Sequence, residues 1–147
     1  MFCFFRHPAD RLVSWWEYHT RFQPHWKQYQ VLFPTWIYNG CPTHHDSSVT
    51  DVENPLNQHE FICSEVSLYD FAKIADEWPK ICAKIGVSKP LPHSMNSVRI
   101  YWEEYYNMDT YKIVREKFAV DWNIYEKINP RFVERSDMHF AGAQSNA

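Results

Sequence analysis

The stretch of sequence that decides the fold is residues 1–14, MFCFFRHPADRLVS. Its first five residues form a continuous apolar run, which is typical of a strand buried on both faces of a parallel sheet. Arg6 and Pro8 end this run, and apolar residues recur at helical spacing from Asp10 onward. A strand, a tight turn and a helix in this order predict the start of an α/β unit. Because such a strand needs neighbours on both sides and few strand candidates follow, we expect part of the sheet to precede residue 1.

The turn between this strand and this helix carries groups that can bind an anion. Arg6 stands at the carboxyl end of the strand, where open α/β sheets bind ligands, and its guanidinium can make a two-pronged contact to a phosphate. The helix N-terminus adds free N–H groups and the positive end of a dipole. If the helix begins near Pro8, Ser14 lies nearly two turns into it and can offer a hydroxyl to the same anion. The spacing therefore predicts a phosphate site built from Arg6 and Ser14.

The remainder of the chain is predicted to be mostly helical. Residues 66–71 alternate between apolar and polar and predict a second strand. Asp76 is predicted to cap a helix that has Pro79 in its first turn and ends at Gly86. A further helix is predicted over residues 97–106.

Asp109 is predicted to cap the last long helix. One apolar stripe runs along that helix at helical spacing and indicates the face turned to the core. The stripe consists of Tyr111, Val114, Phe118, Trp122 and Tyr125.

The composition describes one globular domain and excludes several classes of protein. The chain has 147 residues, of which 45% are hydrophobic, so it can bury a single core. The net charge of −3 and the scattered cations predict no nucleic-acid partner. No apolar run approaches the roughly 18 residues of a membrane span, and no signal peptide is visible. None of the four cysteines is in a C-x-x-C pair, which favours a reducing compartment and hence the cytoplasm.

The motif Arg-x-Pro-x-x-Arg-Leu-Val-Ser at residues 6–14 resembles the 3′-phosphate-binding motif of the sulfotransferases, and is most similar to that of the carbohydrate sulfotransferase branch. The resemblance implies that Arg6 and Ser14 hold the 3′-phosphate of the co-substrate, 3′-phosphoadenosine 5′-phosphosulfate. Arg11 matches a second motif arginine, which in that family more often anchors the helix than touches the donor.

Two downstream segments extend the resemblance over most of residues 2–132. The lysine and glycine at 84–86, followed by Leu-Pro-His-Ser-Met-Asn-Ser at 91–97, are similar to a family loop close to the nucleotide, which implies binding roles for Asn96 and Ser97. Residues 114–125 look like the closing helix of the family, in which an acidic residue precedes an aromatic one.

The chain also departs from the family pattern. The family's first strand, its phosphosulfate-binding loop and its usual catalytic residue should precede the motif, yet residue 1 already lies at the second conserved motif. Asp70 and Phe71 stand in the inverse order of a Phe-Glu pair that is common in the family. The sequence therefore assigns no catalytic residue, because sulfuryl transfer needs a base and cations that this portion of the pattern does not supply.

Taken together, these features predict an α/β domain of the P-loop-related sulfotransferase type, truncated, mostly helical, and with a short remnant of a parallel sheet. Residues 1–132 are predicted to form this partial domain and residues 133–147 a polar tail. The implied function is transfer of a sulfuryl group from the nucleotide donor to a hydroxyl acceptor, a carbohydrate by resemblance, without a metal ion.

Two alternatives stay open at this stage. The first is a catalytically inactive remnant that binds the nucleotide and transfers nothing. The second is a metal-binding or protein-interaction module that uses exposed aromatic side chains and the ligand-type residues Cys41, His44, His45 and Asp46.

Overall fold

The computed structural model describes residues 1–44, 54–91 and 101–130 of the chain. Within these ranges the architecture is α/β, mostly helical, with one two-stranded parallel sheet. The strands are β1 (Phe2–Phe5) and β2 (Ser67–Asp70). The α-helices are α1 (Pro8–Phe22), α2 (Phe33–Tyr38), α3 (Ile74–Ile85), α4 (Met108–Lys117) and α5 (Ala119–Ile128).

The sheet confirms both predicted strands. Phe2 of β1 lies opposite Ser67 of β2, and Phe5 lies opposite Asp70. Because the two strands are parallel, their carboxyl ends meet at the same edge of the sheet. The residues that follow the strands, Arg6 and Phe71, are therefore brought side by side.

The helix α1 begins directly after the turn that ends β1. Pro8 occupies its first position, where the missing N–H of proline leaves no hydrogen bond unmade. The apolar face of α1 is fully covered, with Ala9, Leu12 and Val13 at most 1% exposed. This burial fixes the direction in which the opposite, polar face of the helix points.

The predicted start of helix α3 is wrong. It begins at Ile74 instead of after Asp76, and Pro79 lies inside it, in the second turn. The cause is Asp70, whose carboxylate accepts a hydrogen bond from the amide of Ala72 and caps a 3₁₀ turn that continues into α3. The predicted end is confirmed: Gly86 follows the helix at φ 68°, the left-handed region that favours glycine.

The last predicted helix is two helices, α4 and α5, which meet at Phe118. The cap of α4 is Asn107 and not Asp109. Asn107 and Thr110 form a reciprocal pair: the Thr110 amide donates to Asn107 Oδ1 (2.8 Å) and the Asn107 amide donates to Thr110 Oγ1 (3.0 Å). The predicted apolar stripe is confirmed, since all five of its side chains are buried.

Several predictions fall wholly or partly outside the described ranges. Of the helix predicted over residues 97–106, the described part forms a 3₁₀ turn at Trp102–Tyr105. The candidate nucleotide-binding residues Asn96 and Ser97 lie outside the described residues, as does the predicted tail at 133–147.

The core combines aliphatic side chains of α1 with aromatic side chains of α2, α4 and α5. Trp36 is fully buried, and its indole N–H donates to the carbonyl of Pro42 at 2.9 Å. All four cysteines are free thiols; Cys41 and Cys82 are buried, whereas Cys3 is partly exposed. In the described ranges, no helix is both long and apolar enough to cross a bilayer.

Candidate anion site

The guanidinium of Arg6 lies at the carboxyl end of the sheet and is held from two sides. Its Nε donates to the carboxylate of Asp10 in the first turn of α1. Its central carbon lies 4.8 Å from the ring centroid of Phe71, a cation–π distance. The two terminal nitrogens make no hydrogen bond to any described residue, and the side chain is 23% exposed. A guanidinium that is fixed at Nε and free at its terminal nitrogens can donate to an oxyanion.

Ser14 lies one helical turn beyond Asp10, and residues four apart share a face of a helix. The side chains of Asp10 and Ser14 therefore lie along the same side of α1, and Arg6 contacts the N-terminal end of that side. Ser14 is partly exposed, and no described residue forms a hydrogen bond with its hydroxyl. Among the described residues, no side chain caps the N-terminus of α1.

Arg11 has a different environment from Arg6. Its Nε and one terminal nitrogen donate to the carbonyls of Leu56 (3.2 Å) and Pro55 (3.0 Å). Burial lowers the pKa of Arg11 from its ordinary value, and the carboxylate of Asp121 acts in the opposite direction. Arg11 thus anchors α1 to the segment at Pro55 and Leu56, because these two donors are directed at the chain itself.

Sequence reasoning missed the residues that hold the backbone of Arg6. The side-chain amide of Gln58 accepts from the Arg6 N–H at 2.9 Å and donates to the Arg6 carbonyl at 2.8 Å. Gln58 is in turn held by Asp121 of α5, which is 1% exposed and accepts from the backbone N–H of Gln58 at 2.7 Å. Gln58 carried no signal, because it lies in an irregular segment 52 residues from Arg6.

Asp70 is the last residue of β2, and its carboxylate forms hydrogen bonds with other parts of the fold. Asp70 accepts from the Tyr125 hydroxyl at 3.2 Å and from the Asn129 side-chain amide at 2.9 Å, and it also caps the turn that follows β2. Burial raises the pKa of Tyr125 to about 12, so this hydroxyl stays protonated and keeps donating. Asp70 therefore joins the sheet to α5 and leaves Phe71 beside Arg6.

Glu17 continues the polar side of α1 beyond Ser14, but in a buried environment. Its Oε1 accepts from the Tyr105 hydroxyl and lies 3.5 Å from a guanidinium nitrogen of Arg21. Its Oε2 is buried and has no hydrogen-bond partner in the part of the chain that the structure describes. Glu17 is a carboxylate near the predicted phosphate ligands, yet its contacts are with the 3₁₀ turn at Trp102–Tyr105 and not with Arg6.

The ligand-type residues near Cys41 do not form a metal centre in the described part of the chain. No group of three or more His, Cys, Asp or Glu side chains there is arranged to hold an ion. Burial raises the pKa of Cys41 to about 12, which disfavours the thiolate that a metal ion needs. The ring of His44 is stacked on Trp26 at 3.9 Å between centroids. His45 and Asp46 lie outside the described residues.

A separate open groove of about 650 Å³ runs along α3 and the segment after it. Trp78, Pro79, Cys82, Val87 and Leu91 give it an apolar lining. Neither Arg6 nor Ser14 lines this groove, so it is distinct from the predicted anion site.

Comparison of the chain with protein-family models, with curated proteins and with solved structures gives no match. The residues of this chain itself, foremost Arg6 at the carboxyl end of the sheet, therefore provide the observations that bear on its function.

Proposed function

We propose that the chain binds the 3′-phosphate of 3′-phosphoadenosine 5′-phosphosulfate and is the corresponding portion of a sulfotransferase domain. The observation that carries this proposal is the environment of Arg6. Its Nε is bound by Asp10, its plane is covered by Phe71, and its terminal nitrogens are free for an oxyanion. Ser14 lies on the same side of α1 and supplies a hydroxyl donor. This donor set suits a phosphate that carries close to two negative charges.

The proposed reaction is transfer of a sulfuryl group to a hydroxyl, on a carbohydrate by the resemblance of the motif. The acceptor oxygen attacks sulfur, the bond from sulfur to the 5′-phosphate oxygen breaks, and adenosine 3′,5′-bisphosphate leaves. A base must take the acceptor proton, and cations must offset the charge of the leaving phosphate. Arg6 and Ser14 hold the far end of the donor in this scheme, and Asn96 and Ser97 are proposed to lie near its nucleotide.

The finer fold assignment belongs to the same proposal. A parallel strand pair, a helix that begins directly after the first strand and an anion site at the carboxyl edge are features of nucleotide-binding α/β domains. We infer that β1 and β2 belong to a sheet of the P-loop-related type, with residues 1–132 as the partial domain.

Calorimetric titration with adenosine 3′,5′-bisphosphate tests the binding step. We expect Arg6→Ala to weaken binding on the order of 10- to 100-fold, because a hydrogen bond to a charged group contributes about 1.5–3 kcal/mol. Ser14→Ala should weaken binding by about two- to tenfold, as expected for one hydroxyl donor. Arg115→Ala, which removes an exposed arginine of α4 that lies 3.8 Å from Glu126, is the matched control and should leave affinity unchanged.

Two outcomes separate the proposal from its alternatives. If the protein binds the bisphosphate no more tightly than adenosine 5′-monophosphate, or if Arg6→Ala and Arg115→Ala behave alike, the proposal is wrong. Incubation with the radiolabelled sulfate donor and a panel of glycans then tests turnover. Binding without transfer would identify an inactive nucleotide-binding remnant instead of an enzyme.

A further inference from the structure

On the side of β1 that does not pair with β2, a side chain and not a strand forms the hydrogen bonds to the backbone of Arg6. The carbonyl of Met1 accepts from the amide of Ser67 on β2 at 3.0 Å. Along a strand, successive residues direct their N–H and C=O groups to alternate sides, so Met1, Cys3 and Phe5 face β2. The N–H and C=O groups of Arg6 consequently point away from β2, toward the side where a third strand would pair.

The side chain of Gln58 occupies that position. Its Oε1 accepts from the Arg6 N–H and its Nε2 donates to the Arg6 carbonyl, so one amide satisfies both groups. A neighbouring strand would offer the same acceptor and donor through its backbone. Gln58 is 8% exposed, which means that water does not compete for these two bonds.

The backbone around Gln58 is itself held in place, which restricts where its side-chain amide can lie. Asp121 accepts from the backbone amides of Gln58 (2.7 Å) and His59 (2.9 Å), and from the His59 imidazole at 2.6 Å. Arg11 of α1 donates to the carbonyls of Pro55 and Leu56, three and two residues before Gln58. The segment is therefore bound to α1 on one side and to α5 on the other.

We propose that Gln58 is a positioning residue for the anion site, which deepens the proposed function and rests on it. The paired bonds fix the backbone of Arg6 at the point where the chain turns from β1 into α1. Asp10 and Phe71 fix the far end of the same side chain. With both ends held, the terminal nitrogens of Arg6 face one direction before ligand arrives, and binding does not have to order them.

The test compares two ligands on the Gln58→Met variant. Methionine keeps the length of the side chain and removes both hydrogen-bonding groups. We expect the dissociation constant for adenosine 3′,5′-bisphosphate to rise at least about tenfold, while that for adenosine 5′-monophosphate, which lacks the 3′-phosphate, changes by less than about twofold. A merely structural role would weaken both ligands together or neither, so the ratio of the two constants is the decisive quantity.

Asn107→Ala serves as the stability control, because it removes a helix cap that does not contact Arg6. It should leave the ratio at its wild-type value. If Gln58→Met does not fold, Gln58→Leu replaces it, because leucine also removes both hydrogen-bonding groups and adds no charge beside Arg6. The same loss of preference for the bisphosphate over the monophosphate is expected.

The results separate a failure of the proposed function from a failure of the positioning role of Gln58. A wild-type protein that shows no preference for the bisphosphate overturns the proposed function and this inference with it. A wild-type preference that is lost in Arg6→Ala and fully kept in both folded Gln58 variants overturns the positioning role alone.

Discussion

At the scale of single residues, His7 shows how strongly the turn between β1 and α1 is buried. Its imidazole is 5% exposed and stacks on the ring of Trp102 at 4.5 Å between centroids. The rings of Trp122 and Tyr125 stand nearly perpendicular to the imidazole, with centroids 4.9 and 5.0 Å from its own. Burial lowers the pKa of His7 from 6.5 to about 3, although the nearby carboxylate of Asp10 favours the protonated form. The residue that separates Arg6 from Pro8 is therefore a neutral core side chain.

This burial predicts a pH dependence of stability. An unfolded chain binds a proton at His7 near pH 6.5, and the folded chain binds it only near pH 3. Between these values the unfolded state holds more protons, so the free energy of unfolding falls as pH falls, by up to about 1.4 kcal/mol per pH unit. Above pH 6.5 the imidazole is neutral in both states and makes no such contribution.

Urea unfolding at a series of pH values between about 4 and 8 measures this slope. His7→Phe should reduce the slope in the acid range by about one proton, whatever its effect on absolute stability. The matched control is His25→Phe at an exposed position, which should leave the slope as it is in the wild type. Identical slopes for the wild type and His7→Phe would show that His7 is not the group responsible.

At the scale of elements, the start of α4 illustrates how a cap is chosen. Asn107 and Asp109 are both good capping residues, and both precede the apolar stripe. Asn107 is the cap because its extended backbone lets its side chain reach the amide of Thr110 three residues on. Thr110 is fully buried, and its hydroxyl oxygen accepts from the Asn107 amide. Asp109 remains as an acidic residue in the first turn.

We therefore expect unequal effects from two neighbouring substitutions. Asn107→Ala should lower the free energy of unfolding by about 1 kcal/mol, since the amide of Thr110 loses its acceptor, Asn107 Oδ1. Asp109→Ala should cost less than about 0.5 kcal/mol, because only an exposed dipole interaction is lost. Urea denaturation compares them directly. Equal losses, or a larger loss for Asp109→Ala, would contradict the assignment of the cap.

The elements that the sequence predicts best are those whose signal is local. The strands β1 and β2 and the end of α3 at Gly86 follow from apolar pattern and from the special backbone freedom of glycine. The break at Phe118 was not predictable, because the apolar stripe continues through it at helical spacing. The apolar period therefore locates the buried face but not the ends of the two helices.

The residues of the candidate site also differ in whether a local sequence pattern could indicate them. Arg6 and Ser14 were predicted as ligands from a short motif and from helical spacing, and that role stays a prediction. Gln58 and Asp121 were not, because each acts on a group more than 50 residues away in sequence. Such contacts are created by the packing of elements, and a single sequence contains no periodic trace of them.

At the scale of the whole molecule, stability depends on an aromatic core shared by helices from both ends of the chain. Trp36 of α2 lies at its centre, with Tyr29 at 6.1 Å and Phe33 at 5.9 Å between ring centroids. Removing a large buried ring leaves a cavity that the neighbours fill only partly. Such a loss is comparable with the total stability of an ordinary domain.

Trp36→Ala should accordingly lower the free energy of unfolding by about 3–5 kcal/mol, and more if the carbonyl of Pro42 is left without a donor. Phe22→Ala is the control, since Phe22 at the end of α1 is 65% exposed. That change should stay within about 0.5 kcal/mol of the wild type. The readout is the urea midpoint, and a small loss at Trp36 would mean that the aromatic cluster is not the common core of these helices.

The anchoring of Arg11 has a consequence for how the chain can vary. Arg11 secures the backbone at Pro55 and Leu56, while His44 is secured by its stacking on Trp26. The two hydrogen bonds of Arg11 thus join α1 to the segment that carries Gln58. A lysine at position 11 would keep the positive charge but lacks the planar fork that reaches both carbonyls. Arginine is therefore favoured at this position for its shape and not only for its charge.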